Sequence, residues 1–498
     1  MRTIFQASLA AINLYSEYFL GLLVSIIIAR NLSTEEYGIY SSAIWLAGLV
    51  TIAINAGLSI TVTKFVAEFK KNNQQQLSSL LSFIRKVLIK RIIFVVAVFL
   101  LLILFDVSAV TVPVWLICTL LVCAVFKATY IYQISIFKGL QRFDVLAKTS
   151  MIANPINLLS VAIFAYFSPS IEGFLVAYCI ACLAFALSIL SFKKQMPQGN
   201  TGVLLIGEDK QRIIGQIYAA SVIIFFGALV FRQSQILVLE GSGLFSEAGY
   251  FNIAYILATS AVTLIPGIYQ EVLLPKITQA VGNNGLKSNV LQAQRYLTIL
   301  CLLVLVPVLM YADVVIDIFY GERYQDAVFA LQVLVVLRVI VVINDGANLT
   351  LISHDRQRIM AKVNFFLFLI AAVLSYLVTP QYGVEGALVV YGILIFLLVI
   401  FYNRIAKGDG YCLMPMKVFF SIIGAAALAS LPSLLLNHYL SGILSAILGS
   451  MLFVLIYVNL LFVVKGFDRS VTFLLGQLAP KMPKPIGVYM SWAINRLN

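Results

Sequence analysis

Ile171-Glu-Gly-Phe-Leu-Val-Ala-Tyr178 and Val384-Glu-Gly-Ala-Leu-Val-Val-Tyr391 follow one pattern, and they stand 213 residues apart. Working outward, Glu36-Tyr-Gly-Ile-Tyr40 recurs as Glu247-Ala-Gly-Tyr-Phe251 at an offset of 211. Arg142 with Leu146-Ala-Lys148 recurs as Arg356 with Met360-Ala-Lys362 at an offset of 214. Each pair is short. All three keep nearly the same offset, and each sits at the same place relative to the neighbouring apolar runs, which marks an internal duplication.

The apolar runs themselves fix the class. Of 498 residues, 61% are hydrophobic and 11% charged, against about 25% charged in a soluble domain. With a mean hydropathy of +1.00, the apolar residues cannot form one core beneath a water-facing shell, so most of the surface faces lipid. A bilayer core takes about 20 apolar residues per helix. On that length the chain offers fourteen spans, near 6–29, 39–63, 88–105, 112–137, 149–167, 172–192, 213–239, 247–274, 296–316, 327–351, 363–379, 384–403, 418–436 and 442–464. The first is read as a retained span, being longer than a signal-peptide core and lacking a small-residue cleavage site.

Charge placement tests the span count. Of the 34 Lys and Arg residues, 29 fall in loops on one side and at the termini; Arg30 and Arg323 lie opposite, and Lys127, Arg232 and Arg338 lie within spans. A missed span would invert every later loop, so this bias argues for an even number with both termini cytoplasmic. The formal net charge of +13 is therefore topological, and no nucleic acid is expected as a partner.

Other chemistry finds no support. Five of the six cysteines lie in apolar runs, and Cys179-x-x-Cys182 has helix spacing without a second ligand pair. Two histidines, His354 and His438, are too few for a histidine metal site or a Ser-His-Asp triad. Gly282-Asn-Asn-Gly285-Leu-Lys287-Ser does not make a phosphate-binding loop. No segment outside the bilayer is long enough for a catalytic domain. The chain is expected to be no enzyme, and to carry neither metal nor cofactor.

Six spans per copy is an even number, so both copies keep one orientation and are related by an axis along the membrane normal. The expected architecture is all-α and polytopic: two parallel, pseudo-symmetric six-helix lobes, 1–212 and 213–410, around a central cavity. Two further helices occupy 411–464 and a cytoplasmic tail runs over 465–498. Lobes of this kind expose a cavity to each side in turn, which is the plan of an alternating-access transporter. Pro155, Pro266 and Pro307 inside spans are candidate hinges.

The loop after span two, Lys64-Phe-Val-Ala-Glu-Phe-Lys-Lys-Asn-Asn73, does not fit the G-x-x-x-D-R-x-G-R-R signature of major facilitator proteins. Other stretches carry a different likeness: Ala29-Arg-Asn-Leu-Ser-Thr-Glu-Glu-Tyr-Gly-Ile-Tyr40, Gly57-Leu-Ser59 with Phe65-Val-Ala-Glu68, Lys138-Gly-Leu-Gln-Arg142, Pro275-Lys-Ile277 and Tyr382-Gly-Val-Glu-Gly386. In these the chain resembles Wzx-type flippases, the polysaccharide exporter branch of the multidrug/oligosaccharidyl-lipid/polysaccharide (MOP) superfamily. The resemblance implies transfer of a polyprenyl-pyrophosphate-linked oligosaccharide, such as an O-antigen repeat unit, across a bacterial inner membrane. It also implies that spans one, two, seven and eight line the central cavity. A polymerase or chain-length regulator of the pathway is a candidate protein partner; the tail reads first as an interfacial anchor at the cytoplasmic face and second as a docking site for such a partner. Two other branches compete: cation-coupled multidrug exporters, which typically have twelve spans, and peptidoglycan lipid-precursor flippases, which share fourteen. A scaffold subunit without transport is the blandest alternative.

Charged groups inside the bilayer cost at least roughly 2.5 kcal/mol, so they face a cavity or a partner. Arg232, Arg338 and Lys127 are the candidates for an anionic headgroup, because guanidinium matches phosphate oxygens bidentately. The repeat offset places Lys127 level with Arg338, and the span limits put Lys127 and Asp345 towards the basic-side ends of their helices. Asn55 heads a set of amides suited to sugars. Glu17 and Asp345 are the candidates for a coupling proton or Na⁺. The competing reading is that these groups pair with one another and only hold helices together.

Overall fold

In the computed structural model the described residues are 18–72, 74–104, 114–197, 207–264, 285–354 and 356–464. Helix α1 (Tyr18–Asn31) leads into α2 (Thr34–Asn55). The start of α2 is set locally: Ser33 Oγ accepts from the Glu36 amide at 3.2 Å, while the Glu36 carboxylate accepts from the Ser33 amide at 2.8 Å. This reciprocal cap satisfies two of the donors that every helix start leaves open.

The end of α2 departs from the reading of 39–63 as one span. Gly57 takes a φ of +72°, a left-handed turn that side chains disfavour, and the chain restarts as α3 (Leu58–Asn72). A Cβ at Gly57 would also stand 2.5 Å from the Ile217 carbonyl oxygen and 2.6 Å from the Ser221 nitrogen. Glycine is thus required twice, for conformation and for the close approach of a later helix.

Helices α4 (Gln74–Leu104), α5 (Val114–Gly139), α6 (Phe143–Phe167) and α7 (Ile171–Leu190) complete the first copy. Arg85, Lys86, Lys90 and Arg91, counted above with a loop, ride on α4 instead. The second copy begins with α8 (Glu208–Ala228), a wide π-helical turn (Leu229–Gln233), α9 (Ser234–Gly241) and α10 (Phe245–Leu264). It continues with α11 (Gly285–Met310), α12 (Ala312–Tyr320), α13 (Ala327–Ile343), α14 (Asp345–Ser353) and α15 (Gln357–Gly408). Helices α16 (Met416–Tyr439) and α17 (Gly442–Val463) follow.

Among the described residues nine helices are long and apolar enough to span a bilayer, or ten if α13 and α14, bent by 40°, are one span. The shortfall from fourteen has local causes. α1 is described only from Tyr18, α4 carries four cations, and α10 is described only as far as Leu264. α15 joins two expected spans through Gly383, whose φ of +54° interrupts its helical geometry. Pro155 and Pro307 lie inside α6 and α11, which run on through them; Pro266 lies outside the described residues.

Packing divides the chain into two units: residues up to Ser260 with Arg356–Leu398, and Ala261–Asp355 with the remainder from Val399. In the first, α5 packs against α2, α3 and α7, and α6 against α7. Val50, Ile54, Phe65, Leu80, Ile84 and Leu121 form one core shared by α2, α3, α4 and α5. In the second, α16 and α17 enclose Ile422, Ala426, Phe453 and Tyr457, with the last two rings stacked at 5.4 Å. Large apolar side chains such as Phe94, Met151, Leu159, Tyr376 and Leu455 stay exposed, as a lipid-facing surface requires.

The duplication is visible in the first unit as contacts between equivalent positions. Asn252 Nδ2 donates to Ser41 Oγ at 2.8 Å across a separation of 211 residues, and Thr34 Oγ1 lies 3.3 Å from Ser246 Oγ, one position off that register. Between these pairs Gly38 and Gly249 bring the backbones together: a Cβ on Gly249 would lie 3.0 Å from the Thr34 carbonyl oxygen and 3.4 Å from the Gly38 nitrogen. A Cβ on Gly38 would collide with the Phe245 carbonyl. Helices α2 and α10 therefore cross where their equivalent glycines coincide, as two copies related by rotation must do on the axis.

The octapeptides that open α7 and the second half of α15 also correspond. Ser170 Oγ accepts from the Gly173 amide at 3.2 Å and caps α7. Gly383, its equivalent, has no side chain to do so; the Glu247 carboxylate from α10 reaches over and accepts from the Val384 amide. Gly173 and Gly386 are both held by close approach, a Cβ lying 2.7 Å from the Ser168 carbonyl oxygen in one case and 2.9 Å from that of Val378 in the other.

Candidate functional site

Helix α5 carries the cation that best combines depth with space. Lys127 lies midway along Val114–Gly139, not towards the basic-side end as the span limits suggested. Eleven residues separate it from Lys138, about 16 Å of helix rise, roughly half of the ~30 Å hydrocarbon core. Its ammonium is held by Tyr178 of α7: Nζ donates to the phenol oxygen at 3.3 Å and sits 5.3 Å from the ring centroid. A cation on an aromatic face is favoured more strongly where water is scarce.

Lys127 forms part of the wall of a cavity of about 420 Å³ inside the first repeat, shared with Tyr130, Lys138, Ser150, Asn154 and Asn157. Gly21 of α1 and Ser59 of α3 also line it. The volume lies within the range of small-ligand sites. Asn154 is 6% exposed, and its Nδ2 has no hydrogen-bond partner among the described atoms. A buried amide left without an acceptor costs about 1–3 kcal/mol, which an oxygen-rich occupant would offset. The described lining residues comprise two lysines, hydroxyls and carboxamides beside Ile131, Ile134, Leu146 and Phe185, with no carboxylate among those described. Past the basic-side end of α5, Arg142 is paired with Asp144 at 2.8 Å, which raises the guanidinium above its ordinary value.

The other expected site residues are placed separately. Asn55, buried at the end of α2, gives its Nδ2 to the Ala128 carbonyl at 3.0 Å and is not on the cavity wall. Arg232 lies in the π-helical turn, its side chain outside the described set, and Glu17 lies outside the described residues. Arg338 is half-buried on α13, in the second unit. Asp345 begins α14 at the 40° bend and accepts from Asn348 Nδ2 at 2.9 Å. Beside it Asn403 Nδ2 donates to Asn344 Oδ1 at 3.0 Å, and Gln294 Nε2 donates to the Tyr411 phenol. The bend thus gathers a carboxylate and four carboxamides in one apolar unit.

One buried acid escaped the sequence reading. Glu240, 4% exposed, closes α9 beside Ser42 of α2, next to the crossing of α2 and α10. The apolar run 213–239 stops one position short of it.

A family model described as polysaccharide biosynthesis protein matches residues 27–329, more than half of the chain. The chain belongs to that family. Among solved structures it is similar to the inward-facing conformation of a multidrug resistance MATE family transporter of the MOP superfamily. There the identity is 14%, with 78% of this chain and 94% of that chain covered at a TM-score of 0.63. It is similar also to lipid II flippase MurJ in an inward closed conformation, at 14% identity, 90% and 97% coverage and a TM-score of 0.61. An outward-facing MATE transporter follows at 15%, 81% and 94%, and 0.60. At this identity the likeness is one of fold: the family member described here is a multi-pass membrane protein whose fold is shared with MATE transporters and MurJ. No protein of curated function matches the sequence.

Proposed function

We propose that the protein is a flippase that carries a polyprenyl-pyrophosphate-linked oligosaccharide across a bacterial inner membrane for surface polysaccharide synthesis. A pyrophosphate and its sugars cannot cross hydrocarbon unaided; a polar cavity closed on one side at a time removes that barrier. In this reading both termini are cytoplasmic, 1–212 and 213–410 act as the two lobes, and the lipid tail stays in the bilayer. The enclosed amides and hydroxyls take the sugars. Lys127 attracts the diphosphate, with Arg232 and Arg338 as further cations, and Asp345 or Glu17 takes the coupling ion. The crossing of α2 with α10 provides a seam that opens by separating two glycine-lined helix faces.

The observation that carries the reading is the polar part of the cavity wall around Lys127: cations, hydroxyls and amides, with no acid among the described lining residues. The same wall argues against a multidrug exporter of cationic compounds, which would meet repulsion at Lys127 and Lys138. The family, described as a polysaccharide biosynthesis protein, supports it over a peptidoglycan-precursor flippase. The test is reconstitution into vesicles with a fluorescent polyprenyl-pyrophosphate oligosaccharide, scoring its exchange between leaflets. Wild-type protein should accelerate exchange and the Lys127→Met variant should not. Equal exchange by both, or exchange no faster than in protein-free vesicles, overturns the reading.

A further inference from the structure

A second cavity, of about 440 Å³, opens between α4, α5 and the end of α7. Nothing in the flippase reading uses it. Its chemistry is graded along the bilayer normal. Arg85 and Lys193 stand at the basic-side end, Gln133 and Thr129 follow one turn apart along α5, and Ile89 and Ile92 lead inward along α4. Arg85 and Ile92 are seven residues apart on one helix, about 10 Å of rise. Arg85 and Lys193 are both exposed, and neither forms an ion pair with a described carboxylate. Two cations therefore share one mouth without an anion of their own. Beyond Ile89, itself 47% exposed, α4 presents Ile93 and Phe94 outward at 65% and 68%, so the groove runs without interruption into the lipid-facing surface.

The geometry points to a binding site for one anionic glycerophospholipid, its phosphate held by Arg85 and Lys193 and one acyl chain laid along Ile89 and Ile92. A soluble anion would use the cations and leave the apolar limb empty, while a neutral lipid would leave the cations unpaired. Charge near the headgroup plane with an apolar track behind it suits a bulk anionic lipid. Gln133 supplies amide donors at the depth of the glycerol ester oxygens, while the Thr129 hydroxyl donates to the Phe126 carbonyl at 2.8 Å. The site is separate from the Lys127 cavity, and its test does not depend on transport.

The experiment is native mass spectrometry of the purified full-length protein exchanged into phosphatidylcholine nanodiscs containing a minor fraction of phosphatidylglycerol. Wild-type protein should keep one phosphatidylglycerol through delipidation. The Arg85→Gln/Lys193→Gln variant should lose retention by about thirtyfold, as expected for two headgroup cations. Lys86→Gln/Lys90→Gln, which removes two exposed cations of the same helix outside the groove, should retain it as wild type does. A matching melting temperature for both variants in pure phosphatidylcholine excludes misfolding as the cause. Retention unchanged in the groove variant, equal loss in the control, or displacement by inorganic phosphate or by a polyprenyl pyrophosphate each overturns the assignment.

Discussion

Asn252 donates to Ser41 at 2.8 Å, and the two residues occupy the same position in two copies of one repeat. The contact ties α2 to α10 where the chain meets its own duplicate. If the seam opens during transport, a covalent bond there must stop the cycle. In a background free of native cysteines, the Ser41→Cys/Asn252→Cys pair is expected to cross-link under mild oxidation, arrest exchange and recover with reductant. Full activity in the cross-linked form would show that the seam does not move.

Gly38 and Gly249 make the same point sterically. Adding a methyl group at Gly38 drives it into the Phe245 carbonyl, a backbone atom that cannot rotate away, and overpacking of this kind costs about 1–3 kcal/mol. Gly38→Ala should therefore splay α2 from α10 and lower transport at least tenfold, as a shift of more than ~1.4 kcal/mol between closed and open states implies. Gly249→Ala, with its nearest contact at 3.0 Å, should be milder. Accessibility of a cysteine at position 42 to a membrane-impermeant thiol reagent reads the gap directly.

Lys127 and Asn154 test the cavity. Lys127→Arg should retain part of the activity and Lys127→Met nearly none, whereas Tyr178→Phe removes a hydroxyl but keeps the ring beneath the ammonium and should lose only a few-fold. Asn154→Leu should lower transport without lowering membrane abundance. Loss of abundance in both the Lys127→Met and Asn154→Leu variants would make the pair structural.

Gly383→Ala combines a left-handed φ with a clash against the Glu247 carboxylate. Strain in that region costs about 1–3 kcal/mol, so the melting midpoint in detergent should fall by several degrees. Glu247→Ala removes the cap on the Val384 amide and should cost about 0.5–2 kcal/mol. With both changes together the loss should be less than additive, because the clash disappears with the carboxylate.

Asp345 sits with Asn348, Asn344, Asn403 and Gln294 at the bend between α13 and α14. If this acid takes the coupling ion, Asp345→Asn should fold and bind substrate yet no longer respond to an imposed pH or Na⁺ gradient. An unchanged gradient response transfers the role elsewhere.

The duplication was legible because the helix starts it marks need particular residues: glutamate and glycine where α7 and the later half of α15 begin, and glycine where α2 meets α10. The cation on α5 was legible because charge is rare in oil. What sequence alone could not give was which face each helix buries. Asn55 and Asn154 are both amides in apolar runs, but one is spent on the Ala128 carbonyl and the other borders a cavity. The Gly57 break was hidden inside a run apolar on both sides, since hydropathy averages over a single residue and a left-handed turn does not. Glu240 was missed for a similar reason: hydropathy treats a carboxylate as the end of a span, while here it belongs to the last turn of α9, which seats it beside Ser42.

The wide turn at Leu229–Gln233 sets the angular phase of everything after it in α9. Gln235 stabilises it by donating its side-chain amide to the Val230 carbonyl at 3.3 Å. Were those five residues to tighten into ordinary α geometry, α9 would turn about its own axis by about 100°, the angle of one residue. Glu240 would then swing away from Ser42. A rotary click within one helix would thus suffice to couple the middle of the bilayer to the seam, with no sliding of whole bundles.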